Sequence, residues 1–457
     1  MSNPVAFPRR GIDPLPRPTR LEMISMIAVA AALVIYLPIL LHRTAHNLGD
    51  VQVFFRAAWA VWTGYPLYQV VDDHGWSYHY PPTFAILMGP FADPLPGYPA
   101  LAWALPFTAS VGVFYALSVA AMVLAAHVWA TALEDHSGIV PAGDQSGWWG
   151  LRIAPILLLA PYFGASFARG QPTTILILLA CIFLKYYADR RVIVASAALA
   201  LAITIKIFPA ALLIIPLLRR DVATLAWTAA WCAIFLLALP AAVLGIDQTI
   251  ELYRTLWVER LSGIADGALA SRVEVEISPW SNDMVAFGSM LGRTFAEPTA
   301  DMPYRLPQWA HAVQLAFDLV IVGLFVALGR GRFWNWSRRQ PDNPYAILVA
   351  GAVIYAVLPA ILPVAQPHYW AQAAPLFTVL LVEHWRRTAT VAPSVSLIGW
   401  AVVALLAYIA TGVSFWEPLR NHGPTTLVML TLVAAGFVVL ARAYPARREP
   451  GAASTTA

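Results

Sequence analysis

The chain has 457 residues, 59% of them hydrophobic and 12% charged, with a mean hydropathy of +0.65, which excludes an ordinary soluble domain. Its formal charge of +4 comes from short arginine clusters between apolar runs, so the basicity marks topology and excludes a nucleic-acid surface. Cys181 and Cys232 lie inside apolar runs, which gives no ground for a disulfide framework or a cysteine metal site.

Apolar runs near the length of about 20 residues that a bilayer requires recur from Met23 almost to the end, so the chain reads as an all-α polytopic integral membrane protein. Residues 1–21 form a proline-rich tail with Arg9, Arg10, Arg17 and Arg20, expected to stay in the cytoplasm. Met23–Leu41 then leaves as an anchor rather than a signal peptide, because no small-residue cleavage site follows. A polar loop runs over about 42–80. The stretch from Pro81 to Thr131, interrupted by Pro90, Pro94, Pro96 and Pro99, reads as one return crossing with a broken beginning.

Later runs fall at about 151–166, 172–187, 191–207, 208–218, 222–244, 308–329, 345–363, 370–385, 393–413 and 424–442. Taken alternately they make about twelve crossings. They also place Lys185, Arg190, Arg219, Arg220, Arg330, Arg338, Arg386, Arg387 and Arg447 all on the cytoplasmic side. The expected organisation is one transmembrane domain over 22–443 and a second cytoplasmic tail over 444–457, in the plasma (inner) membrane. Two outer loops follow, about 42–80 and 245–306, the second with nine acidic residues against five arginines. No internal repeat is evident.

In the first outer loop, Val51, Phe54, Phe55, Ala58, Trp59 and Trp62 follow helical spacing and predict an amphipathic helix lying at the membrane surface, ended by Gly64 and Pro66. Asp50 stands at its N-cap. That position accounts for an aspartate on structural grounds alone, and a carboxylate acting on a substrate is the alternative. Asp72 and Asp73 are rival carboxylates in the same loop, and with His74 and His79 they form a loosely spaced metal candidate. Tyr80-Pro81-Pro82 is either a rigid aromatic-belt start to a helix or an aromatic wall beside a site.

Arg169-Gly170-Gln171-Pro172 joins two spans on the outer side, where its arginine either snorkels or binds an anion. Lys206, in Ile205-Lys206-Ile207-Phe208-Pro209, is a second outer-side cation, more deeply embedded. Trp280-Ser281-Asn282-Asp283 marks the second loop. His368-Tyr369-Trp370, near the outer end of a late span, is either interfacial packing or a proton carrier titrating near the ordinary histidine value of about 6.5.

In order, Asp50, Phe55-x-Ala-Ala, Gly64-x-Pro-Leu-Tyr68, Tyr80-Pro-Pro82, Gly170-Gln171, Lys206-x-x-Pro209 with Arg219-Arg220, Asn282 and His368-x-Trp370 resemble glycosyltransferase family 87. The likeness runs from about Asp50 to Leu380. It implies a GT-C-like helical bundle, a polyprenyl-phosphate-sugar donor, and inversion at the anomeric carbon. The family pattern implies Asp50 near the acceptor hydroxyl and His368 sharing the acid–base work. Two departures bear on substrate identity: Thr173 stands where members often have Asn, and Asn282-Asp283-Met284 replaces an Asn-Gln-Ser triplet.

The resulting expectation is an enzyme that moves a hexose such as mannose, or a pentose, from a polyprenyl-phosphate carrier to a glycolipid or cell-envelope glycan on the extracytoplasmic face. Asp50 and His368 are the catalytic candidates. Arg169, Gln171, Lys206, Asn282 and Tyr80 are expected to bind the donor's phosphate and sugar. The leaving phosphate is already a stable anion and needs cations more than a general acid. No metal ligand set is assigned, and the sequence leaves a divalent metal undetermined. A lipid or solute transporter is the alternative from another class, and a non-catalytic envelope scaffold a third.

Overall fold

The computed structural model describes residues 17–45, 50–138, 147–258, 280, 284–296, 306–330, 343–362, 365–388, 395–412 and 422–443. Among these residues the secondary structure is helical, apart from a single antiparallel bridge between Val71 and Ser77.

The chain opens with α1 (Arg20–Ala45). Thr19 and Glu22 form a reciprocal cap at its start, the Glu22 carboxylate accepting the Thr19 N–H at 2.8 Å and the Thr19 hydroxyl accepting the Glu22 N–H at 3.2 Å. The first connecting segment begins with α2 (Val51–Thr63), which ends on Gly64 in the left-handed conformation, φ 74°, where a side chain would be strained. After the short α3 (Pro82–Leu87) the prolines hold the chain irregular until α4 (Phe107–Ser137), so the return crossing has the broken beginning that its prolines predicted.

The expected surface position of α2 is not what forms. Val51 to Val61 are all buried, Gln52 and Arg56 included. The cause is the returning chain, which covers the face meant for water. The Phe55 ring packs on Phe91 and Phe114, and the Trp59 and Trp62 indoles donate to the carbonyls of Pro99 and Ile86 at 3.1 and 3.3 Å.

Next come α5 (Trp148–Leu158) and α6 (Ala160–Arg169), bent by 62°, with a proline in the first turn of α6 that cannot continue the helical ladder. They are followed by α7 (Thr173–Ala188), α8 (Val192–Ile205), a 3₁₀ turn (Phe208–Leu213) and α9 (Ile214–Leu218). Helix α10 (Val222–Ala233) continues through a π turn into α11 (Leu239–Leu244) and then α12 (Ile246–Leu256). The π turn leaves the Phe235 carbonyl to accept the Thr83 hydroxyl at 2.6 Å, which fixes α3 to the bundle. The remaining helices are α13 (Phe287–Phe295), α14 (Gln308–Arg330), α15 (Pro344–Ile361), α16 (Ala374–Thr388), α17 (Val395–Gly412) and α18 (Pro424–Ala443).

Among the described residues, six helices are long and apolar enough to cross a bilayer, or seven with the bent α5–α6 pair. Other expected crossings, among them α7 and α8, fall on apolar helices of 10–17 residues. Both are shortened by polar groups. The α6–α7 break occurs at Gly170-Gln171-Pro172, and α8 stops at Lys206, whose backbone is extended.

Helix α15 is the centre of the bundle, buried from Tyr345 to Ala360, whereas α1 and α14 present most of their surface outward. Close packing at the centre depends on a small residue, since a Cβ on Gly351 would overlap the Leu184 side chain.

Two ends of the bundle differ. At one, Lys185 pairs with Asp135 at 2.9 Å, His136 with Asp189 at 2.9 Å, and the Arg386 guanidinium lies 5.0 Å from the Tyr345 ring centre. The other end holds the polar groups of the segment that follows α1.

Candidate active site

At that second end, the start of α2, the chain leading into α3, the α6–α7 turn, the end of α8 and a 3₁₀ turn (Pro367–Ala373) converge. Asp50, Phe54, Tyr80, Gln171, His368 and Tyr369 face a recess of about 80 Å³. The approach of the α6–α7 turn to α2 requires Gly170. Its φ of 64° is left-handed, and a Cβ there would overlap Val51, the first residue of α2.

That approach sets Gln171 against Asp50. The Gln171 Nε2 amide donates to Asp50 Oδ2, while its Oε1 accepts from the Lys206 ammonium at 2.7 Å. Lys206 also donates to the Tyr369 hydroxyl at 3.0 Å and lies 5.2 Å from the Tyr80 ring centre. A buried carboxylate and a buried ammonium are therefore joined through one neutral amide instead of forming a direct ion pair. Although Asp50 occupies the N-cap position of α2, its side chain makes no cap hydrogen bond. Its second oxygen, Oδ1, is buried with no hydrogen-bond partner among the described residues.

His368 is 1% exposed and stacks on Tyr369 with ring centres 4.4 Å apart. Neither of its ring nitrogens has a hydrogen-bond partner among the described residues. Arg169, at the end of α6, acts electrostatically on both Asp50 and His368. Tyr80 is held by Phe54 and Tyr78 at ring distances of 5.6 and 5.5 Å, with Pro81 and Pro82 fixing the backbone behind it. Asn282 lies outside the described residues.

Burial raises the Asp50 carboxyl above its ordinary range, and Arg169, Gln171 and Lys206 oppose that rise. Burial, reinforced by Lys206 and Arg169, holds His368 well below the usual histidine value. The expectation that His368 titrates near 6.5 is thereby corrected: two cations and a low-dielectric pocket disfavour a third positive charge, and the ring stays neutral near pH 7.

The rival carboxylates have other employment. Asp72 Oδ1 accepts the backbone N–H groups of His74 and Trp76, both at 2.8 Å, and so shapes the loop. Asp73 pairs with Arg56 and accepts from Gln52 at 3.1 Å, and Asp93 approaches Arg56 at 3.7 Å. No group of three potential metal ligands occurs among the described residues. Tyr369 and Phe54 were not among the site residues expected from the sequence. Only Tyr369's place beside His368 hinted at its contact with Lys206, which joins residues 163 positions apart.

Fold and site together define a multi-pass membrane protein in which a buried carboxylate and imidazole line one recess, with a buried ammonium behind them on Gln171 and Tyr369. The profile of glycosyltransferase family 87 matches residues 78–359, and the chain belongs to that family and is a glycosyltransferase. Tyr80, Arg169, Gln171 and Lys206 lie within the matched stretch, and Asp50 and His368 outside it. The chain is also similar to two proteins described as polyprenol-phosphate-mannose-dependent alpha-(1-2)-phosphatidylinositol mannoside mannosyltransferases. The one from Mycolicibacterium smegmatis is 24% identical over 89% of this chain and 87% of the relative. The other, from Mycobacterium tuberculosis, is 25% identical over 87% and 86% respectively.

Proposed function

We propose that this glycosyltransferase moves a sugar, mannose or a related hexose or pentose, from a polyprenyl-phosphate carrier to a hydroxyl of a glycolipid or envelope glycan. In this reading the site lies on the extracytoplasmic face of the plasma (inner) membrane, about twelve segments cross the bilayer in one domain over 22–443, and both termini are cytoplasmic. The names of the two relatives support the donor class.

One observation carries the assignment of roles: Asp50 has one oxygen held by Gln171 and the other buried, with no partner among the described residues, beside a recess. Asp50 Oδ1 takes the proton of the acceptor hydroxyl as its oxygen bonds to the anomeric carbon. The bond from that carbon to the phosphate oxygen breaks, and its electron pair leaves with the polyprenyl phosphate. Lys206 and Arg169 offset the charge gathering there. His368, neutral, accepts or donates a hydrogen bond to a sugar hydroxyl or relays the acceptor proton. Tyr80 walls the recess. Asn282 is assigned to sugar binding from its place in the family pattern.

The test is Asp50→Asn in purified protein with a synthetic polyprenyl-phosphate sugar. The amide keeps the shape and the Gln171 contact is lost or reoriented, whereas the proton-accepting charge is gone, so transfer should fall roughly 10²–10⁴-fold with the fold retained. Near-normal transfer by Asp50→Asn, together with loss in Asp72→Asn or Asp73→Asn, sinks the assignment.

A further inference from the structure

At the end of the bundle remote from Asp50, the last turns of α4, α16 and α18 and the first turn of α15 enclose a second recess, of about 410 Å³. The 18 residues of α15 rise roughly 27 Å between the two ends, and the two recesses share no lining residue. Arg386, Arg387 and Arg442 line it against one carboxylate, Glu383.

That carboxylate orients two guanidiniums, accepting from Arg386 at 3.2 Å and from Arg387 at 2.8 Å. The Arg386 guanidinium also lies over the Tyr345 ring. Arg442, exposed in the last turn of α18, has no carboxylate partner among the described residues. Asn343 closes the recess: its Oδ1 caps α15 at Ala346, 3.3 Å, and its Nδ2 donates to the last carbonyl of α18, Ala443, at 3.0 Å. Tyr345 is 4% exposed, and Arg386 approaches its hydroxyl as well as its ring. The remaining titratable group, His136, is engaged by Asp189 at 2.9 Å.

We propose that this recess binds the phosphate group of an anionic membrane lipid. Three guanidiniums against one carboxylate leave an excess of positive charge, and the planar fork of arginine matches the oxygens of a phosphate. The volume falls in the range of small-ligand sites, and the recess lies at the ends of membrane helices, where lipid phosphates reside. This proposal does not depend on the roles given to Asp50, Gln171 or Lys206.

Full-length protein in detergent tests it by native mass spectrometry and thermal unfolding, with phosphatidylglycerol, phosphatidylcholine or inorganic phosphate added. Phosphatidylglycerol should be retained in preference to phosphatidylcholine and should raise the unfolding temperature. Arg442→Gln, which removes an exposed side chain, and Arg387→Gln should each weaken retention about tenfold, the loss of a hydrogen bond to a charged group. Glu383→Gln should act oppositely and tighten it. Displacement of the lipid by inorganic phosphate supports recognition of the phosphate itself. Equal retention of both lipids, or unchanged phosphatidylglycerol binding in both arginine variants, overturns the proposal. Protection by inorganic phosphate alone overturns the lipid as its source.

Discussion

Gln171 holds the Asp50 carboxylate by one oxygen and leaves the other buried and without a hydrogen-bond partner among the described residues. An unsatisfied buried acceptor costs about 1–3 kcal/mol, and under the proposed function an acceptor hydroxyl supplies the missing hydrogen bond. The amide also separates the carboxylate from Lys206, since its other end accepts the ammonium. A direct ion pair would weaken Asp50 as a base.

Replacing Gln171 by Leu removes the donor that favours the ionised carboxylate while keeping a side chain between Asp50 and Lys206. The Asp50 pKa should rise, and the acid limb of the pH–rate profile should move to higher pH. At pH 7 transfer should fall by about tenfold or more, as expected for loss of a charged hydrogen bond. An unmoved limb would show that Gln171 does not tune Asp50.

The wild-type pH profile follows from the two buried groups. Asp50 works ionised, so the rate falls as pH drops through its pKa, which burial has raised above 3.8. The midpoint of that limb should therefore lie above the ordinary carboxylate range. His368 is held neutral well below 6.5 and should contribute no limb there. His368→Gln should lower turnover without shifting the acid limb, and disappearance of a limb near 6.5 in that variant would return His368 to ordinary titration.

Lys206 and Arg169 approach the site from α8 and α6. Lys206→Gln and Arg169→Gln should raise KM for the polyprenyl-phosphate donor about tenfold to a hundredfold, the worth of one charge-assisted hydrogen bond, with protein still inserted in the membrane. Donor kinetics unchanged in both variants would make the two cations structural.

The side of the membrane is open to chemical labelling. Thr63, exposed at the end of α2, and Thr388, exposed at the end of α16, lie at opposite ends of the bundle. In intact cells, Thr63→Cys should react with an impermeant thiol reagent and Thr388→Cys should not. The reverse pattern would place the Asp50 recess in the cytoplasm.

Much of this was legible in the chain itself, because long apolar runs report directly on solvent. Helix α2 and its Gly64 end follow from spacing and from the freedom of glycine, and Pro90 to Pro99 announce the break before α4, since proline cannot donate to a helix. Asp50, Gln171, Lys206 and His368 were legible as candidates by their order and residue type. What the chain did not disclose was their joining. Asp50 and Gln171 are 121 positions apart, and Lys206 and Tyr369 are 163 apart, so no local rule links them. The burial of α2 also depended on tertiary packing: its spacing describes one apolar face, but the returning chain covers the other, and Asp73 and Asp93 neutralise the Arg56 that spacing alone would leave in water. Likewise, His368 has the intrinsic affinity for protons of any histidine, and only folding, by excluding water and bringing Arg169 and Lys206 near, makes it neutral.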